Sequence, residues 1–198
     1  MQDEFERSGR CPWCGDDPLY VAYHDTEWGR PVHDPRALWE ALMLEAFQAG
    51  LSWITILRRR ETLRAAFAGF DPAAIATFAE GDIARLLADP GIIRHRGKIA
   101  ATITGAQAYL RLQSQGGFAP FVWRHVGGHS LQPNRESMAQ VPAHSPQAQA
   151  LSKALKAEGF KFVGPTICYA FMQAVGMVND HLIGCPQHGR VQAMAAVG

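Results

Sequence analysis

Thiols and imidazoles gather at the two ends of this chain. Cys11, Cys14 and His24 stand near the start, in CPWCGDDPLYVAYHDTEWG; His181, Cys185 and His188 stand near the finish, in NDHLIGCPQHG. Most of the sequence lies between the two groups, and neither end shows a helix or strand that would tie it down alone. A metal ion drawing ligands from both would close a very long loop, and its binding would count directly towards folding. Structural zinc takes four such ligands tetrahedrally, and the spacing of His181 and Cys185 can serve one ion from a helix end or a turn. Spacing does not decide between Cys11 and Cys14, and eight histidines among 198 residues also produce pairs by chance. The competing use of Cys11 and Cys14 is a redox pair. Such a pair opens a helix after a strand in a βαβ setting. Here Gly15-Asp16-Asp17-Pro18 follows, which is turn material, and no βαβ pattern surrounds it.

A chain of 198 residues can build one sizeable core, and 47% apolar content with a net charge of +1 describes an ordinary globular protein. The near-neutral total makes no general case for nucleic acid, so any such surface must be local. The opening MQDEFERSGR is acidic and polar, unlike a secretory signal or transit peptide, and no apolar run approaches the ~20 residues of a membrane span. The expected setting is cytoplasmic, with no membrane partner. There, four cysteines favour metal or catalysis over disulfides.

The pattern is helical throughout, and the fold class expected is all-α. Asp34-Pro35 opens a helix to about Gly50, Trp53 to Phe67 carries Arg58, Arg59, Arg60 and Arg64, and Asp71-Pro72 starts a short helix. Asp82 begins ARLLA, and a long helix runs from Lys98 to about Gln113. Positions 127–150 read as a crossing loop. Ser145-Pro146 and Pro165 open the last two helices, ending near Glu158 and Gly176. FKFVG and FVW are the scarce strand signals, and a frayed, disordered tail is expected after Gly189.

Two places carry chemistry. On a helical wheel Leu38, Ala41, Leu42 and Ala49 share one face, and Glu45 falls in its middle. A carboxylate there is costly unless it is paired or lines a cavity; the wheel alone favours the plainer case of a partly buried glutamate satisfied by a neighbouring arginine or a backbone amide. Just beyond, QAGLSW ends the helix at Gly50 and exposes Leu51 and Trp53 at a turn, which suits a small pocket. The second place is DPGIIRHRGKIAATI, a helix-hairpin-helix over about 82–113. Its turn amides around Gly91 and Ile93 and the following helix N-terminus can hold a backbone phosphate, with Arg94, Arg96 and Lys98 adding charge. An ordinary αα-corner with a solvated basic edge competes on equal terms.

RCPWCGDDPLYVAYHDTEWG, LEAFQAGLSWITILRRRE, DPGIIRHRGKI, ALSKALKAEGFKFVGPTICYAFMQAVGMVNDH and HLIGC together resemble the DNA-3-methyladenine glycosylase I family of the helix-hairpin-helix glycosylase superfamily. The resemblance runs from Arg10 to Cys185. It implies a single glycosylase domain over 1–198 with a zinc site joining its ends, acting as a monomer. It implies a monofunctional enzyme that flips 3-methyladenine out of double-stranded alkylated DNA and releases it by hydrolysis. The family's structural zinc falls on Cys11, His24, His181 and Cys185, leaving Cys14 and His188 outside it. Its base pocket falls on Glu45, as recognition and catalytic group, with Tyr23 and Trp53 and with Trp13, Tyr20 and Trp28 around them. Leu51, with Gln48, falls on the wedge that fills the vacated gap in DNA.

The residue types suit such chemistry, since aromatic faces favour a flat cation and Glu45 can accept from the adenine amino edge. Most of the superfamily carries a catalytic aspartate after the hairpin. This chain has no Asp between Asp89 and Asp180, and the resembled family lacks that group too. The alternatives are a zinc-stabilised helix-hairpin-helix DNA-binding protein without catalysis, a thiol oxidoreductase, and a lyase using Lys98 as nucleophile.

Overall fold

The computed structural model describes residues 9–196, so most of the polar opening stretch lies outside the described residues. Among those described, the chain is helical; the only β feature is one isolated parallel bridge, Leu131 to Val178. No helix there is long and apolar enough to cross a membrane.

One device starts three helices. Asp17, Asp34 and Asp71 each accept backbone N–H bonds from the first turn, and the proline that follows each has no N–H to leave unpaired. These prolines begin α1 (Pro18–Thr26), α2 (Pro35–Gln48) and, after α3 (Trp53–Arg58) and α4 (Arg60–Ala66), α5 (Pro72–Ile75). Then come α6 (Glu80–Ala88), α7 (Arg96–Ser114), α8 (Phe118–Trp123), α9 (Pro146–Ala157), α10 (Pro165–Ala174) and α11 (Pro186–Ala195). Ser145 caps α9 through Ala148 N–H.

α2 is the central rod. It packs against α7, α8 and α10 and buries Leu38, Trp39, Leu42, Met43 and Phe47. Each such side chain contributes about 1.5–3 kcal/mol on leaving water. Trp39 donates its indole N–H to Phe70 O, so its polar atom is satisfied inside. The end of α10 crosses the segment leading into α2 at Gly176. A Cβ there would sit 2.4 Å from Arg30 C and Pro31 N, and φ is +72°, so only glycine fits. Gly29 N–H to Ala174 O and Val32 N–H to Val175 O stitch the crossing.

Several expectations change. The Asp17-Pro18 stretch, turn material by its sequence, begins α1, and Cys185-Pro186 begins α11, so both ends hold helices that pack. The tail expected to fray after Gly189 is instead helical to Ala195, with Val191 buried, because α11 lays an apolar residue on the body. The Trp53–Phe67 helix breaks at Arg59 (φ −105°, ψ 4°). FVW lies in α8, and FKFVG is the α9–α10 turn with Phe162 at φ +57°. The crossing loop is irregular as expected up to the helix at Pro146, with one short helical turn at 138–140.

Candidate active site and metal centre

α1 faces two sites at once. Tyr20, Tyr23 and His24 stand at i, i+3 and i+4, on neighbouring positions of one helix face. His24 meets Cys11, His181 and Cys185, all four buried, with their ligand atoms within 4.8 Å of one another. Cys11 Sγ lies 3.6 Å from His181 Nδ1; Cys185 Sγ lies 3.6 Å from His24 Nε2 and 3.7 Å from His181 Nδ1. Ligand bonds of about 2.3 Å to sulfur and 2.0 Å to nitrogen give tetrahedral S···N edges of about 3.6 Å. The donor set therefore fits a tetrahedral metal ion.

The outer partners agree. His24 Nδ1 lies 2.8 Å from the Asp25 carboxylate and His181 Nε2 lies 3.0 Å from Trp28 O, which turns the other nitrogen of each ring inward as a lone pair. The neighbouring Cys11 thiol pulls Cys185 down, and Cys185 together with burial pushes Cys11 up. Cys14 stands outside the set. Its thiol donates to Cys11 O, and burial pushes it up to about 11, so it keeps its proton. His188 is buried nearby with Nε2 unpaired and is not among the four.

Trp13 joins this centre to the second site. Its indole packs on His24 at 5.3 Å and on Trp28 at 4.8 Å, and it meets Tyr20 at 5.1 Å. Beyond it opens a cavity of about 330 Å³ lined by Trp13, Tyr20, Tyr23, Trp28, Glu45, Gln48 and Trp53. All but one of the residues expected at a base pocket thus come together. The exception is Leu51, which stays outside at the exposed α2–α3 turn, 40% accessible, after Gly50 at φ +80°. Four residues that line this cavity each hold one buried polar atom without a hydrogen-bond partner: Trp13 Nε1, Trp53 Nε1, Glu45 Oε2 and Gln48 Oε1. Glu45 has no ion pair, against what the wheel alone favours. Burial lifts its carboxyl to about 8. Such unsatisfied groups are rare in folded interiors and point to a ligand.

The far wall escaped sequence reasoning. Tyr169, Gln173 and Asp180 line it, and the 138–143 stretch of the crossing loop covers it. Asp180 is buried and accepts from Tyr169 OH at 2.6 Å and Gln173 Nε2 at 2.9 Å, with Arg135 Nε 3.5 Å away. Only the i, i+4 spacing of Tyr169 and Gln173 on one helix face could have flagged them.

At the turn between α6 and α7, two of the five residues expected to contact DNA, Gly91 and Lys98, have partners inside the protein. The Gly91 amide is taken by Asp89 Oδ1, and its carbonyl by Thr62. Lys98 is buried, and its ammonium donates to Phe47 O at 2.8 Å and Ala49 O at 2.7 Å. There it closes the C-terminus of α2 rather than facing solvent, because the last carbonyls of that helix have no other donor. It does not line the cavity, which also removes the lyase nucleophile. Ile93 is half-buried on the core, while Arg94 and Arg96 are exposed, Arg96 paired with Glu80.

A helical body with an aromatic, acid-floored cavity beside four buried residues that could hold a metal ion is the class of protein the fold and site define. The model of the methyladenine glycosylase family matches residues 13–188, and the chain belongs to that family. It is 52% identical over 177 residues to DNA-3-methyladenine glycosylase 1 of Escherichia coli (strain K12), covering 89% of this chain and 95% of that one. It is 46% identical over 178 residues to DNA-3-methyladenine glycosylase of Haemophilus influenzae, covering 89% and 96%. A solved structure of a variant 3-methyladenine DNA glycosylase I in complex with 3-methyladenine superposes with a TM-score of 0.88 at 38% identity, covering 91% of this chain and 97% of that one.

Proposed function

We infer that this chain is a monofunctional base-excision repair enzyme that hydrolyses the N-glycosidic bond of 3-methyladenine in alkylated double-stranded DNA. The observation that carries the reading is an aromatic cavity lined by Glu45, a buried carboxyl with one oxygen unpaired and no cation beside it. Relatives spanning nearly the whole chain support it.

A lesion base must leave the stack to be reached, and one that pairs poorly leaves at lower cost. Leu51, exposed at the α2–α3 turn with Gln48 behind it, fills the gap. The flipped nucleotide carries a delocalised positive charge, which the faces of Tyr23, Trp53 and Trp13 favour and the Glu45 carboxylate complements. Glu45 Oε2 accepts from the amino edge of the base. The same charge stabilises the sugar cation that grows as the C1′–N bond breaks and the base departs with the electron pair. Water then supplies the hydroxyl at C1′. The hairpin between α6 and α7 holds a backbone phosphate with Arg94 and Arg96 beside the α7 N-terminus.

Zinc suits the centre, since two thiolates and two imidazoles at tetrahedral spacing form a closed structural set. Held by Cys11, His24, His181 and Cys185, it would supply no reaction chemistry and would fix α1, and with it Tyr20 and Tyr23, against the far end of the chain. One domain, built on the continuous core from Leu38 to Val178, carries both sites.

The deciding experiment is base release from methylated DNA with the products separated. Release of 3-methyladenine without 7-methylguanine is expected; no 3-methyladenine would sink the reading.

A further inference from the structure

Three arginines in a row, Arg58, Arg59 and Arg60, stand where α3 gives way to α4. Arg58 pairs with Asp17, the residue that caps the start of α1, and Arg60 pairs with Glu27, just past its end. Arg59 has no such partner: among the described residues its guanidinium meets neither a carboxylate nor a carbonyl. The residue is half-buried, and its Nε is closed off from water without an acceptor. Packing therefore holds the stem while the charge it carries stays unneutralised. A guanidinium fixed in that way loses little freedom on meeting an anion, and its planar fork matches phosphate.

The surroundings of Arg59 name the anion. Thr62 Oγ1 lies 2.9 Å from Arg59 O and 2.7 Å from Gly91 O, which joins the α3–α4 break to the turn between α6 and α7. Positions 59 and 62, three apart, are neighbours on one face, the face that meets this turn. Arg58 and Arg60 are drawn instead to the two ends of α1. The turn is the segment read above as a phosphate site, and Arg94 stands exposed on it. We propose that Arg59 is a further DNA-backbone contact, a fixed cation that holds a phosphate beside the α6–α7 turn. This rests on the base-release reading above and adds an anchor on a second element. A contact to phosphate positions the duplex and carries no preference for sequence or lesion.

The test is an anisotropy titration of a labelled duplex carrying a tetrahydrofuran abasic site, repeated across a range of salt concentrations. Arg59→Met keeps the apolar stem and removes the charge. It should weaken duplex binding by at least about fivefold and flatten the dependence of log affinity on log salt by ~0.9, the share of one phosphate. Arg58→Met, whose charge Asp17 already meets, should leave that slope unchanged. Affinity for free 3-methyladenine, melting temperature and metal content should stay at wild-type values in both variants, whereas a merely structural role would lower them along with duplex binding. Arg59→Lys restores a charge without the fork and should recover the slope with only part of the affinity. An unchanged slope in Arg59→Met, or an equal flattening in Arg58→Met, would overturn the proposal. If Arg59→Met does not fold, Arg59→Gln is judged by the same slope. Release of 3-methyladenine from methylated DNA by the wild-type protein is scored separately. Duplex binding with the expected slopes but no base release would sink the enzymatic reading and leave the contact standing.

Discussion

Glu45 is a carboxyl held at 3% exposure on the central helix with one oxygen unpaired and no cation beside it. Burial raises it to about 8, so between about pH 4.5 and 8 the folded chain keeps a proton that the unfolded chain has lost. Its contribution favours the fold most below that window and is lost as pH rises through it. Urea unfolding should therefore show wild-type stability falling from pH 5 to 8 relative to Glu45→Gln, by on the order of 3 kcal/mol. A slope identical in the two proteins would contradict the assignment. The same substitution should abolish tight 3-methyladenine binding and flatten the rise of kcat/KM with pH up to about 8. Glu45 is visible in the sequence as a misplaced charge, but its lack of a partner is not. An arginine from any helix could have met it, and only the packing of α2 against α7, α8 and α10 shows that none does.

Helices are where sequence rules reach furthest, and where one rule has an uneven reach. Asp34-Pro35 and Asp71-Pro72 read as helix starts, while Asp17-Pro18, with the same chemistry, reads as turn because its neighbours lack an apolar stripe. α1 has almost none: its inward face is Tyr20, Tyr23 and His24, which meet aromatic rings, Leu57 and Ile54, and the Cys/His cluster. Lys98 is the opposite case. As one of three basic residues on a hairpin it resembles a phosphate contact, but its fold partner is the end of α2, far away in sequence. Lys98→Met should lower stability by about 2 kcal/mol, since two helix-terminal carbonyls lose a charged donor. It should also reduce excision from DNA more than binding of the free base, because the adjacent turn carries Leu51. Urea unfolding and a comparison of turnover with product affinity check both; equal losses in the two activities would remove the link to the turn.

Across the molecule, Cys11 and Cys185 reach into one cluster although almost the whole chain separates them. Chelation should lower the melting temperature by roughly 10 °C and free the N-terminal segment for proteolysis. Base affinity should fall with it, since α1 carries both His24 and the two cavity tyrosines. Cys11→Ser should lose the metal and Cys14→Ser retain it, as elemental analysis would report; full metal in the Cys11 variant would reassign the ligand set.

The fold class, most helix starts, the terminal clustering of thiols and imidazoles and the odd placement of Glu45 are all readable from residue order. These features depend on local propensity, on 3.6-residue periodicity and on residue chemistry. Which polar groups end up paired is decided only by the tertiary structure. Lys98 and the Gly91 carbonyl find partners inside the protein, Glu45 Oε2 and Gln48 Oε1 find none, and Asp180 comes to stand at the cavity wall. Hydrogen-bond satisfaction depends on contacts between segments far apart in the chain, and no local pattern encodes them.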